Sequence, residues 1–260
     1  QGAANNWSGN DEKKAVVTFE KVLKYYQDIV NSNNEISEGL ERQMVWVYTN
    51  IADPLITLNR FEEAERYLEL ALHLAVKYNM TLPYGRYYQF KAALFIKQGR
   101  FDDGLRYNLL ALEKFTEIDV SWFISEVFLS MAQQYQLSGN FEKALPNAIE
   151  AYNWGLKSTR AQDAINASLI VAEILEQVGQ TRKANEFLKI HLKLRDENDA
   201  LNAAKHFEDV ELRSLLESQN REIASLEKDR SLQEQEHRNQ RLWIFSISGA
   251  LISAIVLAII

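Results

Sequence analysis

Cysteine is absent from the 260-residue sequence, so it holds no disulfide framework, no thiolate metal site and no thiol nucleophile. Only 3 prolines and 10 glycines occur, which leaves few turns and favours long helices over a sheet of many short strands. Basic charge is also short: 29 Lys and Arg stand against 36 Asp and Glu, for a net charge of -7. A surface for nucleic acid needs clustered cations that displace counterions from phosphate, and no such stripe appears; nucleic acid is therefore not an expected partner. The four histidines, His73, His191, His206 and His237, do not share the spacings of metal sites, and His206-Phe-Glu lacks the second His of a zinc helix. There is no glycine-rich phosphate loop. No catalytic residue, metal site or cofactor is expected.

What is present is a repeat. Asn59-Arg-Phe-Glu-Glu-Ala64, Gly99-Arg-Phe-Asp-Asp-Gly104, Gly139-Asn-Phe-Glu-Lys-Ala144 and Gly179-Gln-Thr-Arg-Lys-Ala184 recur every 40 residues. Each begins with a residue suited to a left-handed helix cap and ends on a small side chain that lets the next helix approach closely. Acidic residues at Glu62, Glu63, Asp102, Asp103 and Glu142 fall in the first turn of the second helix, where they complement its dipole. Upstream, Tyr48, Tyr88, Phe128 and Ser168 are followed by Ala52, Ala92, Ala132 and Ala172, then by Leu55, Phe95, Tyr135 and Leu175. Bulky, small and bulky residues at offsets of four and three line one helix face. Downstream, Ala71, Ala111, Ala151 and His191 occupy one packing position, and His191 reads as a core residue rather than a ligand. Each unit is thus a hairpin of two amphipathic helices.

The order large, small, aromatic, Gly, aromatic, Ala, Ala resembles the tetratricopeptide repeat family. The resemblance covers four units from Arg42 to Leu194, and Asp11 to Val30 resembles the second helix of a degenerate fifth. It implies an all-α superhelix of stacked hairpins over residues 1–197. Two departures stand out. The 40-residue unit is longer than the family's, so helices or links such as Met80-Thr-Leu-Pro83 are extended, and Pro54 and Pro146 fall inside expected helices, where each should kink the helix or mark an irregular turn.

By the family's register, the first helix of each unit lines a groove that takes a protein or peptide ligand. The candidate binding residues are Trp46, Thr49, Asp53, Arg86, Gln89, Lys97, Gln133 and Glu173. Ala93, Glu126, Leu129, Gln136, Asn166, Leu169 and Glu176 share the same face. The Lys and Asn clamp with which some members hold a peptide's C-terminal carboxylate has no counterpart, because Thr49, Gln89, Leu129 and Leu169 stand there.

Residues 198–241 hold no Gly or Pro and are dense in Glu, Gln, Arg and Lys, the composition of one long polar helix. Leu212, Leu215, Leu216, Ile223 and Leu226 approximate a short heptad seam, the expected contact of a homodimer, with a single solvated helix as the alternative. From Leu242 to Ile260 there is no charge, and 19 residues at ~1.5 Å each give about 28 Å of helix, close to the ~30 Å of a bilayer core. One transmembrane helix is expected over 242–260, anchored at Trp243 and Arg241. Repeats, polar connector and apolar segment together resemble bacterial membrane signalling proteins with a sensor histidine kinase, helix-turn-helix or diguanylate cyclase output. The resemblance implies a single-pass receptor region with a periplasmic array, coupled to an output domain beyond Ile260. Arg238 and Arg241 favour the opposite, cytoplasmic side. A tail-anchored scaffold that recruits partner proteins to a membrane is the alternative.

Overall fold

A computed structural model describes the backbone of residues 2–33 and 37–259 and the side chains of 11–32 and 37–249. The described residues form ten α-helices and no strand. In chain order they are α1 (Gly2–Asn33), α2 (Glu38–Asn50), α3 (Ala52–Thr57), α4 (Phe61–Lys77), α5 (Thr81–Lys97), α6 (Phe101–Glu117), α7 (Ser121–Leu137), α8 (Phe141–Lys157), α9 (Ala161–Gln177) and α10 (Thr181–Ile259). The chain divides into two units, Gln1–Asn198 and Asp199–Ile260.

Within the first unit the spacing is finer than the 40-residue repeat. Helices α4 to α9 are each 17 residues long and start 20 residues apart, at 61, 81, 101, 121, 141 and 161. The links follow from backbone sterics. Asn59, Asn79, Gly99, Asp119, Gly139 and Gly179 all take positive φ, between 51° and 77°, a region open to Gly and tolerated by Asn and Asp. Each such residue turns the chain so that two backbone N–H groups reach back to otherwise orphaned carbonyls. At Gly99 these bonds are Gly99 N–H to Ile96 O at 3.0 Å and Arg100 N–H to Phe95 O at 2.8 Å. The same pair recurs after Gly139, where the Asn140 N–H reaches Tyr135 O at 2.8 Å. Thr159 breaks the series, because a β-branched residue is strained at positive φ. There Ser158 is extended (φ -70, ψ 149); its Oγ accepts from Arg160 N–H at 2.9 Å and donates to Asp163 Oδ2 at 2.6 Å.

Small residues set how close the helices come. Ala52, Ala92, Ala132 and Ala172 on the first helices, and Ala64, Ala144 and Ala184 on the second, are at most 3% exposed. A Cβ on Gly104 would lie 2.7 Å from Ile96 Cγ1, and one on Gly155 would lie 2.6 Å from the Ala164 backbone nitrogen. Around these crossings the large side chains fill the space between successive hairpins. Ile51, Leu55, Leu68 and Leu94 form one cluster, Phe115, Ile124 and Val127 a second, and Val171, Ile174 and Leu175 a third. Phe115 stacks on Phe123 with centroids 4.5 Å apart, and it occupies the space that a side chain at Gly85 would need.

Three sequence expectations meet the structure with different outcomes. The residues that lengthen the unit go into the helices: Met80 is the N-cap of α5, and Thr81 to Pro83 form its first turn. Pro83 and Pro54 each sit third in a helix, where the missing N–H would have had no intrahelical acceptor. The helix that contains Pro54 is parted into α2 and α3 at Ile51, whereas α8 runs uninterrupted through Pro146. The transmembrane helix is corrected. Among the described residues no helix is long and apolar enough to cross a membrane. Of the run 242–260, only the side chains of 242–249 are described. What precedes them in α10 is charged. Residues 250–260 lie outside the described side chains. The single-pass membrane localisation, which rests on that helix, is corrected with it.

The two kinds of glycine separate by substitution. Gly155→Ala drives a methyl into backbone and should lower stability by about 1–3 kcal/mol. Gly139→Ala has no neighbour within 4 Å, so only the strain of positive φ remains, about 1–2 kcal/mol. Urea unfolding of both variants checks this, with the larger loss expected at Gly155.

Candidate functional site

A cleft of about 630 Å³ in the first unit opens between the first helices of successive hairpins. Trp46 and Asn50 of α2 and Asp53 of α3 form one side, Leu82, Arg86, Gln89 and Phe90 of α5 the floor, and Trp122, Phe123 and Glu126 of α7 with Arg160 the other side. Residues at 46, 50 and 53, at 82, 86 and 89, and at 122 and 126 recur at helical offsets of three and four, so each helix presents one stripe.

Polar groups in the cleft are unevenly satisfied. Glu126 accepts from Gln89 Nε2 at 3.0 Å and from Arg160 Nη1 at 2.9 Å, and lies 3.8 Å from Arg86 Nη1. Arg86 donates to Gln89 Oε1 at 2.9 Å and, at 3.5 Å, to Asn50 Oδ1. Its guanidinium lies 4.2 Å from the centre of the Phe90 ring and 5.0 Å from that of Phe123. That half-buried cation is held by aromatic faces as well as by charge. Its burial pushes the Arg86 pKa below the ordinary value, against the pull of Glu126 and Asp53. Arg160 lies 4.7 Å from the centre of the Trp122 ring. Asp53 differs from its charged neighbours: its carboxylate is exposed at the cleft and meets no hydrogen-bond or ion-pair partner among the described residues. Partial desolvation beside the cleft walls raises its pKa; Arg86 lowers it and Glu126 raises it by lesser amounts.

The structure brings Trp46, Asp53, Arg86 and Gln89 together in this cleft. Thr49 is fully buried and donates its hydroxyl to Val45 O at 2.7 Å. Lys97, Gln133 and Glu173 are exposed outside the cleft lining. Asn50, Trp122 and Arg160 were not among the sequence candidates. Trp122 sits 40 residues after Leu82 in the repeat, and that periodicity is the signal which could have found it. Arg160 belongs to a link that no helix register covers. His191 is half-buried at its packing position, with Nδ1 3.0 Å from Ile165 O; since a carbonyl only accepts, Nδ1 carries the proton. Among the described residues no three His, Asp or Glu side chains are grouped to hold a metal.

No family model matches the sequence, and no curated protein matches it. Solved structures do. A signal transduction ATPase with numerous domains and a tetratricopeptide repeat sensor, from Pyrococcus horikoshii, superposes with a TM-score of 0.55 at 23% identity, over 71% of this chain and 28% of that one. This chain has a tetratricopeptide-like repeat fold. BtubC from P. vanneervenii matches the repeat array with a TM-score of 0.57 at 14% identity, over 76% of this chain and 90% of that one. A Rap protein complexed with competence and sporulation factor matches with a TM-score of 0.59 at 14% identity, over 72% of this chain and 50% of that one. The chain therefore spans about half of the Rap protein and about a quarter of the ATPase.

The raised carboxyl of Asp53 has a signed consequence. Its folded-state pKa exceeds its unfolded value, so its contribution to stability is present below the ordinary Asp pKa and is lost as pH rises through the folded value. Asp53→Asn should therefore raise Tm at pH 7, and the difference from the unmodified chain should close as the buffer is taken below pH ~4. Thermal denaturation followed by circular dichroism at both pH values checks it.

Proposed function

We propose that this chain is a binding and sensing module that takes an extended peptide or protein segment in the cleft lined by α2, α3, α5 and α7, and that it carries no catalysis of its own. One observation carries the reading: three successive hairpins converge two tryptophans, Trp46 and Trp122, and a carboxylate without a partner on one cleft of about 630 Å³. A volume of that size, half apolar and with a few fixed polar groups, suits a short stretch of polypeptide better than a reaction centre. The similar folds support the reading, since the Rap protein is seen with competence and sporulation factor and the ATPase carries its repeats as a sensor.

The proposed partner of the second unit is another copy of the chain. In that unit Leu212, Leu215, Leu216, Ile223 and Leu226 are 49% to 61% exposed, and Leu212, Leu216, Ile223 and Leu226 fall in a register of threes and fours completed by Gln219. Such a stripe is stabilised when a matching helix covers it. Flanking charges are already paired along the helix, as in Arg221 with Glu217 at 3.4 Å and Arg230 with Glu234 at 3.2 Å. They leave the apolar stripe clear for the partner.

Two measurements test these readings. Phage-displayed peptides selected on the immobilised chain should lose at least tenfold in affinity on Trp122→Ala, and selected peptides indifferent to Trp122 would overturn the cleft assignment. In sedimentation equilibrium the chain should dimerise, and Leu216→Lys with Ile223→Lys should return it to monomer; an unchanged mass would overturn the pairing.

A further inference from the structure

The cleft's charges point to one chemical class of side chain. Four ionised groups line it: Asp53, Arg86, Glu126 and Arg160. Three of them are bound to one another, since Glu126 accepts from Arg160 and lies near Arg86, and Arg86 is further occupied by Gln89, Asn50 and two phenylalanine faces. The fourth, Asp53, stands beside Arg86 without forming an ion pair to it. A carboxylate has roughly four acceptor positions, and none on Asp53 is used by another side chain or by backbone. Trp46, seven residues earlier on α2 and across the break at Ile51, lines the same side of the cleft and is 38% exposed.

We infer that Asp53 and Trp46 form a pocket for a basic side chain, Lys or Arg, of the bound segment. The inference rests on the proposed peptide-binding reading and names what that site selects. An accessible carboxylate whose acceptor positions are all open gains a charge-assisted hydrogen bond from a partner of full positive charge. The indole face of Trp46 offers the same cation a second contact. Arg86 cannot serve as that partner without leaving Gln89, Asn50 and the two phenylalanine rings. An acidic side chain is disfavoured at this position, since it would meet Asp53 directly. Arg160, exposed at the opposite side, leaves room there for a carbonyl or carboxylate of the same segment. Protonation of Asp53 removes the charge on which recognition depends. The charged groups that face it are Arg86 on α5 and Glu126 on α7.

The test uses the full chain and four capped pentapeptides, Ac-Ala-Ala-X-Ala-Ala-amide with X as Arg, Lys, Leu or Glu. Titrations follow the Trp46 indole N–H by nuclear magnetic resonance, assigned with Trp46→Phe. The Arg and Lys peptides should shift that signal saturably and bind about tenfold more tightly than the Leu peptide, with the Glu peptide weakest. Asp53→Asn should abolish the preference for Arg and Lys, while Glu142→Gln on exposed α8 should not change it. A Glu peptide that binds as tightly as the Arg peptide, or an Asp53→Asn chain that keeps the preference, would overturn the inference. The two readings fail separately. Selected peptides that depend on Trp122 but not on Asp53 keep the cleft and sink the basic pocket, whereas peptides that depend on neither sink both.

Discussion

Close approach of neighbouring helices at small residues is the constraint on which the rest of this molecule depends. Every first helix of a hairpin carries a buried alanine at the crossing, from Ala52 to Ala172, and every second helix an alanine or glycine, from Ala64 to Ala184. Only when those contacts are made can the large side chains of consecutive hairpins interdigitate as one continuous core. Left-handed residues at the links serve the same end. They hold six helices at 17 residues each, so the crossing points stay in register from one hairpin to the next. Where Thr159 cannot take that conformation, Ser158 and Asp163 supply side-chain hydrogen bonds, and Gly155 brings α8 against the start of α9.

That regularity also builds the cleft. Because each hairpin adds a near-copy of the last, stripes at helical offsets on α2, α5 and α7 fall side by side. Residues far apart in sequence, such as Trp46, Arg86 and Trp122, then line one cleft. A guanidinium lodged between phenylalanines at Arg86 is a departure from the best-folding sequence, of the kind that binding sites carry.

Much of the fold was legible because its determinants are local. The Gly and Asn links at 59, 99, 139 and 179 and the alanines that follow them announce a 40-residue hairpin directly. Half of the period was hidden: Asn79 and Asp119 make the same left-handed turn as the glycines, but Asn and Asp are common in other roles and carry a weaker signal. The placing of the extra residues in helices rather than links follows from those two caps. For the cleft, helix register was enough to put Trp46, Asp53, Arg86 and Gln89 on one face. It could not separate them from Thr49, which lies three residues from Trp46 and four from Asp53 and yet is buried, nor find Arg160, which reaches the site from a link. The apolar stretch after Arg241 shows the limit of reading composition alone. A run without charge suggests a bilayer, yet no helix among the described residues is long and apolar enough to cross one.

Hydrogen exchange at the links tests the central claim most directly. The amides of Arg100 and Asn140 lie between helices, where an unstacked chain would leave them open to solvent, but here each donates to a carbonyl five residues back at 2.8 Å. If close-packed hairpins hold these caps in place, both amides exchange slowly, with protection comparable to that of the helix interiors on either side. Exchange at the rate of an unstructured chain at Arg100 and Asn140, alongside protected helices, would contradict the account.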